Sequence, residues 1–255
     1  MEQIVVFSAA GIGRIGEGWY NRHMYRVNRL YRIRSGTGYY TVSGETRRFE
    51  KGHIYFLPWT VPYSLSQESA DPMDHVFIDF MSSFPGLCSG ILDVTEARDE
   101  ITRNLADFLL HMTETLSMEV APGFSLVTGS APELFGEYKS MMQTVLGSFL
   151  ARLEALYGER IPKEHEDIYR AVLYIHTHYS ESLDVESLAA QSCLNKRYFI
   201  AKFKKVVGET PYRYLQLVRY DAAMGLHAMG VPLSRAAEQA GFSAPSSLYR
   251  LRDRN

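Results

Sequence analysis

The period of the hydrophobic positions changes along this chain. From Met24 to about Phe80, runs rich in Tyr, Val, Ile and Phe are separated by turn chemistry at Ser35-Gly36-Thr37-Gly38, Ser43-Gly44-Glu45, Lys51-Gly52, Pro58 and Pro62. Short strands at such regular spacing predict a small barrel or sandwich. After a loop at Phe84-Pro85-Gly86 the period lengthens. Within Glu96–Glu119, Ile101, Leu105, Phe108, Leu109 and Met112 recur every three to four positions, which predicts a helix. A second helix is expected over about Ala131–Tyr157, with Pro132 in its first turn and an apolar stripe running from Leu134 and Phe135 through Leu146 and Phe149 to Leu156. That stripe has two readings: core packing against the strands, or a helix-pair dimer seam, because it is longer than one small barrel covers. The polar segment Gly158–Glu166 carries Gly and Pro without apolar period and reads as a linker. Everything beyond it reads helical.

In the helical end, the run that starts at Leu183 predicts a short helix with Leu188 and Ala189 buried. A tight turn near Cys193 follows, and Asn195 is placed to cap a second helix, the spacing of a helix-turn-helix. Phe199, Phe203 and Val206 or Val207 then face inward. The opposite face carries Arg197, Ile200, Ala201 and Lys204, with Lys196 and Lys205 at its margins. Gly208 ends this helix, and Thr210-Pro211 starts a connecting one. The design repeats over Pro232–Ala240, a turn at Gly241-Phe242-Ser243-Ala244, and a last helix over Pro245–Arg252 bearing Arg250.

Charge sharpens this division. The whole chain of 255 residues has a net charge of −2, yet residues 190–255 hold eleven Lys and Arg against four acids, a surplus of +7. The remaining residues hold 16 basic and 25 acidic side chains, or −9. A cationic helix face at the front of such a motif suits the major groove, where Arg grips guanine and Lys holds phosphate, so the expected partner is double-stranded DNA. The hydrophobic content of 46% excludes wholesale disorder. No run of about 18 apolar residues and no basic, apolar leader occurs, so the expectation is a soluble cytoplasmic protein with no membrane partner. Cys88 and Cys193 lie too far apart in sequence to suggest a disulfide framework or a zinc site.

Residues 168–252 resemble the paired DNA-binding domain of the AraC family of bacterial transcription regulators. The residues that carry the likeness are Leu188-Ala189, Phe203-Lys204-Lys205-Val206-Val207-Gly208-Glu209-Thr210-Pro211, Tyr214-Leu215, Arg219, Ala222-Ala223, Ala237 and Gly241-Phe242. By position the resemblance implies base-edge readers at Arg197, Ile200 and Ala201 in the first unit, and at Ser246, Tyr249 and Arg250 in the second. Asn195, Lys196, Lys204 and Lys205 complete the expected DNA-binding set. Cys193 stands where the family turn usually has glycine, and Ile200-Ala201 are less polar than usual readers, which favours contacts with thymine methyls. Family members continue past the second recognition helix, beginning with an aromatic where this chain has Arg252. The resemblance therefore implies a shortened, loosely held second unit.

Arg34-Ser35-Gly36-Thr37-Gly38-Tyr39-Tyr40, Lys51–Pro58 and Val61-Pro62-Tyr63 resemble the effector-binding cupin barrel of the same family. The fold class expected is therefore α+β. An N-terminal cupin-like β-barrel with a helical dimerisation segment spans 1–157, a linker 158–166, and an all-α domain with two helix-turn-helix units 167–255. A barrel mouth that takes a small polar effector, a sugar among the candidates, needs an aromatic platform and converging donors. Arg29, Tyr31, Tyr63, His75 and Phe77 are the candidates, and plain barrel core is the equal alternative. Period-two alternation puts Arg29 with Tyr31, and His75 with Phe77, on common faces.

A cupin-type metalloenzyme with a degenerate helical tail is the competing reading. Metal cupins use a close His pair, yet Tyr25–Arg34 and Tyr39–Glu45 contain no histidine, and His176 and His178 stand on different faces of a helix. No metal, no cofactor and no catalytic residue is expected. A third reading is a regulator that has lost ligand sensing. Gly11-Ile12-Gly13-Arg14-Ile15-Gly16 has dinucleotide-binding glycine spacing without the βαβ context, and is read as a flexible N-terminal arm that folds over a ligand.

Overall fold

The computed structural model describes residues 5–14, 20–21, 27–59, 61, 63–82, 86–87, 90–121, 124–127, 132–157, 159–160, 163–228, 231–243 and 248. The chain divides into two units, Met1–Arg160 and Ile161–Asn255. Within the expected linker, Glu159 and Arg160 form a short strand and Lys163–His165 one 3-10 turn.

In the first unit the strands are β1 (Val5–Arg14), β2 (Tyr20–Asn21), β3 (Asn28–Ser35), β4 (Gly38–Val42), β5 (Glu45–Arg48), β6 (Ile54–Leu57), β7 (Tyr63–Gln67), β8 (Asp74–Ser82), β9 (Gly86–Leu87) and β10 (Leu92–Asp93). Helix α1 (Glu100–Leu116), strands β11 (Ser117–Ala121) and β12 (Phe124–Val127), helix α2 (Pro132–Tyr157) and β13 (Glu159–Arg160) follow. They build a seven-stranded antiparallel sheet in the order β10-β6-β3-β8-β1-β12-β11, a four-stranded sheet β2-β7-β4-β5, and a β9-β13 pair. The described strands thus form packed sheets rather than the closed barrel that their spacing suggested.

The large sheet is covered on both faces, which explains why β8 is buried almost throughout. One face meets the small sheet through Tyr31, Tyr40, Phe49 and Tyr55, whose rings lie 4.8–6.2 Å apart. The other meets the helices, with Phe56 6.0 Å from Phe149 of α2. Asp99 caps α1 by accepting from the Thr102 amide at 3.0 Å, and Arg152 of α2 binds the same carboxylate at 2.7 Å. Hydrogen bonds from Arg152, then from Thr102, hold that carboxyl well below its ordinary range.

Three expectations need correction. Residues 5–14 are no flexible arm. They form a ten-residue strand paired with β8 on one side and β12 on the other. The first helix is shorter than 96–119, because Asp99 starts it late and Ser117 turns extended to open β11. Of the two readings of the α2 stripe, core packing accounts for most of it: Tyr138, Met142, Leu146, Phe149, Leu150 and Leu153 are buried in this unit's own core, Met141 and Val145 are half-buried, and Leu156 is 44% exposed. The side chains of Leu134 and Phe135 lie outside the described residues.

The second unit is all helical: α3 (Glu166–His178), α4 (Val185–Gln191), α5 (Lys196–Val207), α6 (Pro211–Ala228) and α7 (Leu233–Gln239). Ile168, Val172, Ile175, Leu188, Phe199, Phe203 and Tyr214 are buried here. A second cluster joins Ala223, Ala236, Ala237, Ala240, Phe242 and Leu248. Its alanines let α7 approach α6 closely.

Candidate functional site

Local chemistry fixes the α4-turn-α5 segment. Asp184 caps α4 by accepting from the Ser187 amide at 2.7 Å. The chain then reverses through Cys193 at φ 54°, a left-handed conformation that a residue with a Cβ adopts at a cost. That is why glycine would suit this position. The Leu194 amide donates back to Ala189 at 3.0 Å, and Asn195 accepts from the Tyr198 amide at 2.9 Å to start α5. Gly208, at φ 88°, ends α5 with its amide on the Lys204 carbonyl. Phe199 and Phe203 anchor the inner face, and Phe203 meets Tyr214 of α6 at 5.6 Å between ring centroids.

With that side spent on the core, Asn195, Lys196, Arg197, Ala201, Lys204 and Lys205 are exposed and Ile200 is half-buried. Asn195 has its side-chain oxygen committed to the cap. Lys196 pairs with Glu186 of α4 at 3.2 Å across the turn. Lys202 points elsewhere and holds Asp167 of α3 at 2.7 Å. Among the described residues, Arg197, Lys204 and Lys205 have no ion-pair partner, so these cations are available to an external anion. Tyr198, 53% exposed, lies on the same side as Ala201 and Lys205. It was not among the sequence candidates, although its spacing of three and seven from those residues marks it.

The second repeat is held from behind. Arg219 of α6 donates to the carbonyls of Tyr179 and Glu181, each at 2.7 Å. Gly241, at φ 85°, presses against the same loop. A Cβ there would lie 2.8 Å from the carbonyl oxygens of Tyr179 and Ser180. Ser246, Tyr249 and Arg250, the expected readers of this repeat, lie outside the described residues, as does all but Leu248 of the helix expected over Pro245–Arg252.

In the first unit, Arg29, Tyr31, His75 and Phe77 contact one another on the face turned to the small sheet, and Tyr63 is buried in β7 of that sheet. Arg29 makes a two-pronged ion pair with Asp79, donates to the Tyr31 hydroxyl at 3.2 Å, and lies 5.3 and 5.4 Å from the Tyr31 and Phe77 ring centroids. His75 stacks on Tyr31 at 4.4 Å. Burial, reinforced by the positive charge of Arg29, pushes its pKa down to about 3, so the ring is neutral. Its Nδ1 has no hydrogen-bond partner among the described residues. Asp79 was the residue missed: it shares the face of His75 and Phe77 by period two and sits directly opposite Arg29. Gly11 and Gly13 of β1 stand beside Phe77 and His75. Among the described residues no group of three His, Cys, Asp or Glu is placed to hold a metal ion. No described helix is long and apolar enough to cross a membrane.

Comparison with known proteins bears on both units. A helix-turn-helix domain model matches residues 188–254. The lactose operon transcription activator of Staphylococcus xylosus is 21% identical over 240 residues, covering 92% of this chain and 81% of that protein. The probable transcriptional regulator LumQ of Photobacterium leiognathi is 37% identical over 75 residues, 29% of this chain and 30% of its own length. A crystal structure of ToxT from Vibrio cholerae superposes with a TM-score of 0.53 at 14% identity, over 98% of this chain and 92% of that one. At that identity the likeness is one of fold. Another ToxT structure, with a TM-score of 0.53 at 12% identity over 98% of this chain and 94% of that one, holds (E)-4-(8-methylnaphthalen-1-yl)but-3-enoic acid.

Proposed function

We propose, from the premise that this chain is a DNA-binding transcription regulator of the AraC family, that α5 reads the major groove while the first unit senses a small polar effector. The observation that carries the reading is the exposed face of α5. A rigid turn and two phenylalanines hold it outward, and Arg197, Lys204 and Lys205 are unspent on internal ion pairs. Arg197 sits in the first turn of the helix, where it reaches base edges. Lys204 and Lys205, a helical turn or more further on, meet phosphates. Ile200 and Ala201 offer methyl contacts. The second repeat adds its own readers at Ser246, Tyr249 and Arg250, and Arg219 with Gly241 keeps the two repeats in one orientation.

For the sensor, the supporting feature is a buried neutral histidine beside small strand residues. The guanidinium of Arg29 is already balanced by Asp79, so the cluster offers hydrogen bonds more readily than net charge. This favours a neutral polar ligand such as a sugar over a carboxylate of the kind bound to ToxT. The whole is a cytoplasmic regulator with no catalytic role, whose first unit places the sensor cluster between its two packed sheets.

Selection of bound sequences from random duplex DNA, with and without a metabolite panel, tests both halves. Arg197→Ala should cost about 1–3 kcal/mol at its own base position and little elsewhere. An equal loss on every sequence would remove Arg197 as a base reader.

A further inference from the structure

The second unit has an open cleft of about 310 Å³ where its two repeats meet. Residues 180–183, from the loop that leads into α4, form one side, and residues 241–243, from the turn after α7, form the other. Arg219 of α6 lines the cleft and is only 8% exposed. The fork of this guanidinium is half spent. Its Nε and Nη2 donate to the carbonyls of Tyr179 and Glu181, each at 2.7 Å, along one side of the fork. A guanidinium carries five N–H donors, so the Nη1–Nη2 end keeps a parallel pair. Nη1 has no partner among the described residues, yet it is not sealed from solvent. The cleft is its opening.

Charge points the same way. Buried cations in proteins are paired, because leaving water costs more than a few neutral hydrogen bonds return. This chain obeys that rule elsewhere: Asp79 holds Arg29, and Asp167 holds Lys202. Arg219 has no carboxylate partner among the described residues and rests on two carbonyls alone. Burial accordingly lowers its pKa from the ordinary arginine value. The charge lacks a counter-ion, and the cleft is the side from which one can reach it.

We propose that this cleft binds a small organic anion, a monocarboxylate with a flat apolar body, whose carboxylate takes the free end of the Arg219 fork. Two carboxylate oxygens match two parallel N–H donors and make a bidentate, charge-assisted pair. Phe242 and Leu183, also in the lining, give the body an apolar wall. One unbalanced positive charge suits one negative charge. A phosphate would bring nearly two, and Glu181, exposed at the rim, opposes the second. The volume stands at the low end of the range of about 300–1,000 Å³ for ligand pockets, so the ligand is small. Because the two sides of the cleft belong to different repeats, an anion seated there ties one repeat to the other. That consequence for DNA rests on the DNA-binding reading. The site itself does not.

The test is a titration of the full chain, without DNA, with sodium benzoate as the probe, read by amide and arginine Nε chemical shifts. Shifts should cluster at Leu183, Arg219, Phe242 and Ser243. They should saturate with a dissociation constant of about 1 mM, the strength expected of about nine heavy atoms and one charged pair. Benzamide, which is neutral, and acetate, which lacks the ring, should each bind about fivefold more weakly or worse. Glu181→Gln should tighten benzoate binding and Ser182→Glu should weaken it, each about two- to threefold. Both side chains are exposed, so the melting temperature should not move. Arg219→Lys should abolish the shifts, and the two rim variants carry the test if that variant fails to fold. Benzamide binding as well as benzoate, inorganic phosphate outcompeting it, shifts confined to the first unit, or rim variants without effect would each overturn the proposal. A failed DNA reader leaves all these shifts in place, so the two readings fail separately.

Discussion

Replacing Gly241 with alanine separates backbone strain from crowding, because Gly208 provides the matched control. Both glycines have left-handed φ, 85° and 88°, so alanine at either should cost about 1–2 kcal/mol from the Cβ against its own backbone. Around Gly208 nothing lies within 4 Å of an added Cβ, and the cost stops there. At Gly241 the Cβ would meet the carbonyl oxygens of Ser180 and Tyr179 at 2.8 Å and the Ser180 Cα at 2.9 Å, well inside contact distance. That loop has little room to retreat, because the Tyr179 and Glu181 carbonyls are held by Arg219, and hydrogen bonds to a charged donor are worth about 1.5–3 kcal/mol. Crowding should therefore add about 1–3 kcal/mol, for a total of about 2–5 kcal/mol. The assay is denaturant unfolding of the full chain, with amide exchange read in α3 and α6 to assign the loss to the second unit. Equal costs for Gly208→Ala and Gly241→Ala would refute the reasoning, since they would mean that the loop yields freely.

Two further outcomes follow from the first unit. Asp79→Ala leaves the Arg29 charge buried without its partner and should cost about 3–5 kcal/mol, whereas Arg29→Met with Asp79→Leu together should cost much less; equal losses in thermal unfolding would show that the pair is not desolvated. His75 has its pKa lowered by burial, so between about 3 and 6.5 the unfolded chain binds a proton that the folded chain does not. Stability from this group is complete above the upper value and falls as pH drops below it, by up to about 1.4 kcal/mol per pH unit. His75→Phe should flatten that acid slope, and an unaltered slope in the variant would assign it to other groups.

What could be read in advance divides by how far apart the deciding residues lie. The cap at Asn195, the terminating Gly208 and the inward Phe199 and Phe203 all sit within one short stretch, so the turn and α5 were legible from local chemistry, whereas the Asp184 cap that starts α4 was not singled out. Arg219 and Gly241 were visible only as family residues. Their work, gripping one loop from α6 and from the turn after α7, appears only in three dimensions. The strand Val5–Arg14 was missed because Ser8, Ala9, Ala10, Gly11 and Gly13 break the alternation that announces a strand. The structure explains them as complements of bulk: Gly11 stands beside Phe77, and Gly13 beside His75.

The two long helices show why periodicity alone could not place a seam. In both, apolar residues recur every three to four positions, and the pattern reports only that some face is buried against something. For α2, Phe56 and the other side chains of the large sheet supply that something over Tyr138–Leu153, while Leu156 at its end stays 44% exposed. For α1 the apolar arc is wider than the sheet beneath it. The buried half is built largely of small or short side chains, Thr102, Ala106 and Thr113, which let the helix sit close to the strands. The bulkier Ile101 and Phe108 are left outside, because a helix so close to the sheet cannot also turn them inward. The same economy holds at α5, where Phe199 and Phe203 take the core and the opposite side is left to cations. In each helix the side left outward is set by which side chains the core can accommodate. Substitutions that enlarge the buried half of α1, such as Ala106→Leu, should therefore push the helix off the sheet and lower the melting temperature, and an unchanged melting temperature would show that the helix has room to move.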